Sequence, residues 1–343
     1  MASSNRNFLR ASAAISMAIG ITCYVNTHPS NAWLDSIMKA CKEPPSDKNS
    51  AITHAFAPFL GGSFVCVITQ ILHAATASPA GAFCYLTIMS LYVPTFVFTS
   101  IESGRNPVDG SEKHKARAPV VVWAAGQLLG YGVAIPCMFI SSYFWGGVLP
   151  DIPSTFDTRR APVAVILAIP IVALAVLLCS ISADSLLWTL AAGVVGGPTL
   201  ALFGIVLVPL QRFEGGDASS CHRSAGAAYA ASSFITLAMY AYGSFQLVTS
   251  YESIGFALSA MWGPKAQPAT SFMAVNTFCM AAGMALLVAV RGKVSNGGWK
   301  EGLMTVGLAP IVGPGAAVSI ALMTQEYRCA ERAFSEPSKS KKE

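Results

Sequence analysis

Charge is what this sequence has least of. Of its 343 residues, 11% are charged and 53% are hydrophobic, whereas soluble domains carry about 25% charged residues. That scarcity excludes an ordinary soluble chain, and no polar stretch is long enough to fold as a separate soluble domain. Nucleic-acid binding is excluded too. The net charge is only +5, spread over loops and the tail residues Lys339, Lys341 and Lys342, where it suits membrane orientation. The nine cysteines include no C-x-x-C pair, so their spacing indicates neither a disulfide framework nor a zinc site. An N-x-S/T sequon is also missing, which agrees with short lumenal loops.

The missing motifs narrow the chemistry. No apolar run contains a lysine for a retinal Schiff base, and His54, His73, His114 and His222 lack paired-ligand spacing for haem or metal. No Asp-rich D-D-x-x-D stretch is present to hold Mg²⁺ on a diphosphate. G-x-S-x-G, H-E-x-x-H, Walker A and Rossmann patterns are absent. The expectation is therefore no cofactor and no metal. Acid–base chemistry, or movement, on a hydrophobic substrate remains.

Long apolar runs are what the sequence does have. A helix needs about 20 apolar residues to span a bilayer. Ala51–Leu72, Ala80–Ile101, Ala118–Val148, Ala161–Ile181, Leu186–Leu210, Ser224–Val248, Thr270–Val290 and Gly302–Met323 qualify. Backbone groups in lipid must be satisfied within the segment, so these are helices, and the alternation of barrel strands is absent. Residues 1–25, with Arg6 and Arg10 before an apolar run, form a marginal first segment that either anchors the chain or lies in the interface. The fold class is an all-α, polytopic membrane bundle over 51–323, of eight transmembrane helices, or nine with the first. Residues 324–343 form a charged tail.

Orientation follows from counting cations. With the first segment not crossing, one face collects residues 1–50, the 102–117 loop, the 182–185 turn, the 249–269 loop and the tail. That face holds 15 of the 22 Lys and Arg residues, and the positive-inside rule makes it cytosolic. A nine-helix count narrows the contrast to 13 against 9 but keeps the Glu102 loop on the richer face.

The chain is organised around Leu91–Pro107, where an apolar segment ends in Glu102 and is followed by Arg105 and Asn106. An ionisable residue at the membrane edge is costly without a partner or a task. Glu102-x-x-Arg105 sets a carboxylate and a guanidinium about one turn apart. The plainer explanation is an ion pair fixing a helix end, and the other is an acid tuned by burial. Asp184 is the only charged residue from Ala161 to Gln211. It can cap the helix beginning at Leu186, and Trp188 follows on the same helix face. Glu252, beside Tyr251, has the same ambiguity. By helix counting, Glu102, Asp184, Glu252 and Glu326 all fall at helix ends on one face, as if around the mouth of one cavity. Tyr92, Thr95 and Thr99 share the stripe leading to Glu102 and are the expected cavity lining. Most aromatics have the plainer role of an interfacial belt. The alternative is that some of their faces stabilise a carbocation.

Glycine and proline interrupt the helices often. Two interrupted segments look alike, VVGGPTLAL (194–202) and IVGPGAAVS (311–319). They point weakly to the inverted repeats of secondary transporters, and close packing of Gly/Ala-rich helices explains them as well.

The segment Glu102-Ser-Gly-Arg105-Asn106, near the membrane face of an all-helical chain of this length, resembles the fungal membrane-bound terpene cyclases of meroterpenoid pathways. The group making ascofuranone-, ascochlorin- and macrophorin-type compounds is the nearest. The resemblance implies a non-oxidative cyclisation of a prenylated phenol or related terpenoid, often an epoxide. A carboxylic acid protonates the epoxide or an alkene and a base ends the cascade. It implies an integral protein of the endoplasmic reticulum, with the Glu102 loop and C-terminus cytosolic, fed by a pathway enzyme such as an epoxidase. On this reading Glu102, Asp184 and Glu252 are the catalytic candidates. Arg105, Asn106, Tyr92, Thr99, Trp188 and Tyr251 would bind substrate. For Glu102 to donate a proton, Arg105 must point away or pair with another carboxylate, since a close Arg lowers a carboxyl pKa. If the pair is tight, Asp184 or Glu252 is the better donor. A permease for a hydrophobic small molecule is the rival, and a membrane scaffold a third.

Overall fold

The computed structural model describes residues 3–27, 32–42, 63–107, 122, 125–126, 129–145, 154–182, 185–196, 217–264, 266–294 and 299–335. The described chain is helical apart from one two-residue antiparallel pairing. Among the described residues, four helices are long and apolar enough to cross a membrane: Arg6–Thr27, Pro79–Glu102, Arg160–Leu178 and Pro268–Lys293. The chain is a helical membrane protein on that basis. The first segment, marginal by sequence, is one of the four.

The elements are α1 (Ser3–Thr27), α2 (Ala32–Ala40), α3 (Ser63–Thr76) and α4 (Pro79–Glu102). Next come β1 (Asn106–Pro107), α5 (Tyr131–Ala134), a π-helical turn (Ile135–Ile140), α6 (Ser141–Trp145) and β2 (Ser154–Thr155). Then follow α7 (Arg160–Leu178), α8 (Leu186–Gly196), α9 (Ala218–Ser250), α10 (Ile254–Trp262), α11 (Pro268–Val294), α12 (Lys300–Val312) and α13 (Pro314–Ser335).

Helix α4 is the axis of the bundle. Its most apolar 18-residue stretch is 94% buried, against 33%, 39% and 61% for the other three candidate spans, and α3, α7, α9, α11 and α13 all pack on it. It starts sharply: the Ser78 Oγ accepts from the Gly81 N–H at 3.1 Å, and Pro79 occupies the first turn where a missing N–H costs nothing. Around it, α9 runs antiparallel. His222, near the start of α9, meets Glu326 at the Glu102 end, whereas Tyr240 stacks 5.7 Å from Phe83 toward the Pro79 end. Helix α7 is also antiparallel, with Arg160 donating to the Ser100 carbonyl at 2.8 Å and Ser180 meeting the Tyr242 hydroxyl at 2.8 Å. Helix α11 is parallel to α4, from Thr270 beside Ser78 to Arg291 beside Glu102.

Two expected spans are not single crossings. The pairing of Asn106 with Thr155 and Pro107 with Ser154 returns the chain to the end of the bundle from which it left. Ala118–Val148 therefore does not carry it across once. Its described part, α5 through α6, packs on α1 and α11 and runs back toward Glu102, with Tyr143 against Phe98.

Gly302–Met323 is likewise broken. Helix α12 enters at the Glu102 end, where Gly302 lies against Ala289, and stops at Gly313, whose φ is +85°. Few residues other than glycine adopt that angle. Helix α13 starts at Pro314 and returns. The tip sits halfway along α4, with Gly315 against Ser90. Hydropathy counting cannot tell such a re-entrant hairpin from a span, because its composition is equally apolar. Helix α13 also continues past Met323 to Ser335 and buries Glu326.

These returns change the parity of the helix count and separate the acids. Glu102 and Glu326 share one end of the bundle. Glu252, after α9, is exposed at the other. The Ser182 and Ser185 turn follows α7 to that same far end, while Asp184 itself lies outside the described residues. Four acids at one mouth is therefore not the arrangement. One further feature was not indicated by cysteine spacing: a disulfide joins Cys41, after α2, to Cys66 in α3. The likeness of 194–202 to 311–319 lies mostly outside the described residues. The second of those segments is the hairpin tip.

Candidate functional site

The site is a closed ring of ionisable groups at the Glu102 end, assembled from four helices. Glu102 and Arg105 come from the end of α4, His222 from α9, Arg291 from α11 and Glu326 from α13. Arg105 Nε donates to Glu102 Oε1 at 2.8 Å, and its Nη2 donates to Glu326 Oε1. Arg291 bridges the same two carboxylates, through Nη1 to Glu102 at 3.1 Å and through Nη2 to Glu326 at 2.9 Å. His222 Nδ1 lies 2.7 Å from Glu326 Oε2.

Each member is placed by its helix. Glu102 is the last residue of α4, and Ser103 and Gly104 fold back to bring Arg105 beneath it. Small residues let α13 approach α9 closely: a Cβ on Gly226 would lie 2.9 Å from the Tyr327 ring. That contact sets Glu326 against His222. Arg291 ends the apolar part of α11, with its guanidinium 5.0 Å from the Phe98 ring centre. Arg105 lies 5.4 Å from the Phe156 ring.

Glu102, His222, Arg291 and Glu326 are all at most 5% exposed. Charges taken out of water persist only when paired and hydrogen-bonded. Two carboxylates and two guanidiniums balance, which is why the ring is stable there. Burial alone would raise the Glu326 carboxyl. The pull of Arg105, the hydrogen bond from His222 and the charge of Arg291 overcome it and hold the group well below the ordinary carboxylate range.

The ring leaves hydrogen-bonding capacity unused. Among the described residues, His222 Nε2, Arg291 Nε and the hydroxyls of Tyr143 and Tyr229 are buried with no hydrogen-bond partner. Tyr143 packs edge-on to Phe98, the ring that lies under the Arg291 guanidinium.

The residues expected from sequence divide as follows. Glu102 and Arg105 are brought together, and Arg105 does not point away: it holds Glu102 and Glu326 at once. Asn106 contributes its backbone to β1. Tyr92 is buried, stacked 5.7 Å from Phe96 and edge-on to Tyr131 at 6.2 Å. Thr95 and Thr99 bond their own helix, to the carbonyls of Leu91 and Phe96. Their hydroxyls are thus used within α4. Trp188 is buried at the far end, with Nε1 donating to the Leu178 carbonyl at 3.0 Å and the ring against His73. Tyr251 is half-buried beside exposed Glu252, away from the ring. Glu252 joins none of it.

His222, Arg291, Tyr143 and Tyr229 are not among the residues expected from sequence, and Glu326 is expected only as one of the acids at the cavity mouth, with no catalytic or binding role. Arg291 and Glu326 each follow an apolar run, the same signal that singled out Glu102. His222 was weighed only as a metal ligand. Comparison of the chain with family models, curated proteins and solved structures found no match in any of the three. The ring is read from its own geometry.

Proposed function

We propose that the protein is a membrane-embedded cyclase. It moves a proton onto an epoxide or alkene of a prenylated, lipid-like substrate and takes one back, with no change of mass. One observation carries the reading: His222 Nδ1 is held by Glu326 while Nε2 is buried and unpartnered among the described residues. A carboxylate on one imidazole nitrogen fixes the ring and leaves the other nitrogen to exchange protons.

Sequence reasoning gave that role to Glu102. Geometry favours His222, because Glu102 already accepts from Arg105 and Arg291 while the His222 Nε2 is left without a partner among the described residues. Imidazolium Nε2–H protonates the epoxide oxygen and the C–O bond breaks. A neighbouring alkene attacks the resulting cation, and neutral Nε2 removes a proton from the last carbon. The proton given equals the proton taken. The two carboxylates offset the two guanidiniums, so the ring does not oppose a cation forming beside it.

The orientation that suits this reading has the Glu102 end in the cytosol. Arg6, Arg10, Arg159, Arg223, Lys300 and Arg328 stand at that end, while Lys39 and Lys42 are at the other. The Cys41–Cys66 disulfide, also at the far end, suits an oxidising lumen such as that of the endoplasmic reticulum.

The hairpin of α12 and α13 favours a second reading, a permease, because broken helices meeting at mid-membrane are a transporter feature. One experiment separates the two. Membranes from an expressing host are incubated with epoxy-farnesyl phenols, and isomeric products of unchanged mass are sought. The cyclase reading expects product from the wild type, little from His222→Gln or Glu326→Gln, and full yield from Glu252→Gln. Accumulation of unaltered probe inside vesicles, with no isomer, overturns it.

A further inference from the structure

A second polar cluster lies behind the ring, where the re-entrant hairpin enters the bundle. Glu301, in the first turn of α12, is 5% exposed, and Gln325, on α13, is 2% exposed. Gln325 Nε2 donates to Glu301 Oε2 at 2.5 Å and to the Val288 carbonyl of α11 at 3.0 Å. Arg328, whose side chain is 39% exposed, donates to Glu301 Oε1. Both groups facing the Gln325 amide are acceptors, so only its NH2 end can meet them. Its Oε1 is left buried, with no hydrogen-bond partner among the described residues. The cluster thus ties α12 and α13 to α11 at Val288, about one helical turn before Arg291.

This tie bears on Glu326. Gln325 and Arg328 are three residues apart on α13 and share a face, which both use to reach Glu301. Glu326 points to another side of the same helix, where it meets Arg105, Arg291 and His222. Helix α13 starts at the hairpin tip rather than at a membrane edge, so it is not braced at both ends as a span is. Its contact with α9 runs over Gly226, which has no side chain to stop it turning. A carboxylate rides about 5–6 Å from a helix axis, so a turn of about 20° moves it by about 2 Å. That is enough to break a hydrogen bond, which needs its atoms within about 3.2 Å. The 2.7 Å contact between Glu326 and His222 Nδ1 therefore depends on what fixes the rotation of α13. The ring pulls on that helix from one side, and Glu301 holds it from another.

We propose that Glu301 is a positioning residue for the ring: by holding Gln325 and Arg328 it sets the rotation of α13 and keeps the Glu326 carboxylate on His222 Nδ1. Glu301 acts through α13 and not on the reacting atoms. The consequence for turnover rests on the cyclase reading. The positioning itself does not, because it concerns a bond within the folded chain.

The test is nuclear magnetic resonance on the full chain in detergent, isotope-labelled at histidine. The wild type should show a hydrogen-bonded Nδ1–H that exchanges slowly with solvent, assigned to His222 by its loss in His222→Gln. Gln325→Met and Glu301→Ala should each speed that exchange about tenfold or more, at a temperature where both variants are folded. Arg328→Lys, which can keep the ion pair, should retain the slow signal. Tyr242→Phe, which removes hydrogen bonds to Ser180 and Gln246 at the far end, should retain it too, although it also weakens the fold. Where Glu301→Ala fails to accumulate, Arg328→Gln breaks the same tie from its exposed side. A slow Nδ1–H that survives Gln325→Met together with Glu301→Ala or Arg328→Gln overturns the proposal. So does a wild type without that signal. Turnover of the epoxy-farnesyl phenols is read separately. If the signal and kcat fall together with KM unchanged, both the positioning and the cyclase reading stand. If the signal is lost while turnover persists, the positioning stands and the proton-transfer role of His222 is lost.

Discussion

Gly315 and Ser90 approach so closely that a Cβ on the glycine would lie 2.3 Å from the Ser90 carbonyl oxygen. This contact seats the tip of the α12–α13 hairpin against the middle of the central helix. The neighbour is backbone, which cannot swing aside. Gly315→Ala is therefore expected to cost about 1–3 kcal/mol, the usual penalty for overpacking. Gly307, on the outer side of the same hairpin, has nothing within 4 Å. Gly307→Ala is expected to be neutral or stabilising by up to about 1 kcal/mol. Thermal unfolding of the two variants in one detergent checks the contrast. Equal melting temperatures would mean the tip is not seated.

The hairpin also marks where sequence reading stops. The central helix was legible, because Ala80–Ile101 carries no charge and the residue after it, Glu102, is an acid that lipid would not tolerate unpaired. The Glu102–Arg105 pair was legible from spacing alone. A hairpin that enters and leaves by one end was not, since its apolar stretch, Gly302–Met323, has the length and apolarity of one span and differs from it at the Gly313 turn. The other return, marked by the β1–β2 pairing, reverses the parity of the helices that follow it, and that is why helix counting sets Glu252 beside Glu102 when it lies at the other end. The ring's members from other helices, His222, Arg291 and Glu326, lie 120 to 224 residues from Glu102 in sequence, so only packing brings them together.

The ring predicts an unequal response to losing its cations. Arg291→Met leaves two buried carboxylates with one guanidinium, and breaking a buried pair by removing one partner costs about 3–5 kcal/mol. Arg159, paired with Asp157 at 2.7 Å, has a side chain 54% exposed, and Arg159→Ala is expected to cost under about 1 kcal/mol. Denaturation midpoints in mixed micelles measure both. A mild Arg291→Met would mean the ring is hydrated.

Acid should weaken the protein through Glu326. Its carboxyl is held below the ordinary range because Arg105, His222 and Arg291 outweigh the cost of burial. A carboxyl depressed in the folded state contributes stability above its unfolded value, about 4.3 for glutamate, and loses it as pH falls through the folded value. The melting temperature of the wild type should exceed that of Glu326→Gln at pH 7, and the gap should close progressively below about pH 4. A gap independent of pH would show that the glutamate acts by shape rather than by charge.

Labelling can decide the path of the chain. The β1–β2 pairing puts Ser103 and Arg159 at one end of the bundle, while Lys42 follows α2 at the other. On the proposed orientation, with the Glu102 end cytosolic, an impermeant maleimide applied to sealed vesicles with the cytosolic side outward should reach Ser103→Cys and Arg159→Cys but not Lys42→Cys. All three are read against the wild-type background. Denatured without reductant, the wild-type chain should take up seven alkyl groups, one per free cysteine, and nine after reduction, matching its nine cysteines. Closing the 25-residue separation between Cys41 and Cys66 is worth about 3–4 kcal/mol by chain entropy, so reduction should also lower the melting temperature. Labelling of Ser103→Cys and Arg159→Cys from opposite sides would require one crossing between them. That would undo both the β1–β2 pairing and the placement of Arg160 against the end of α4.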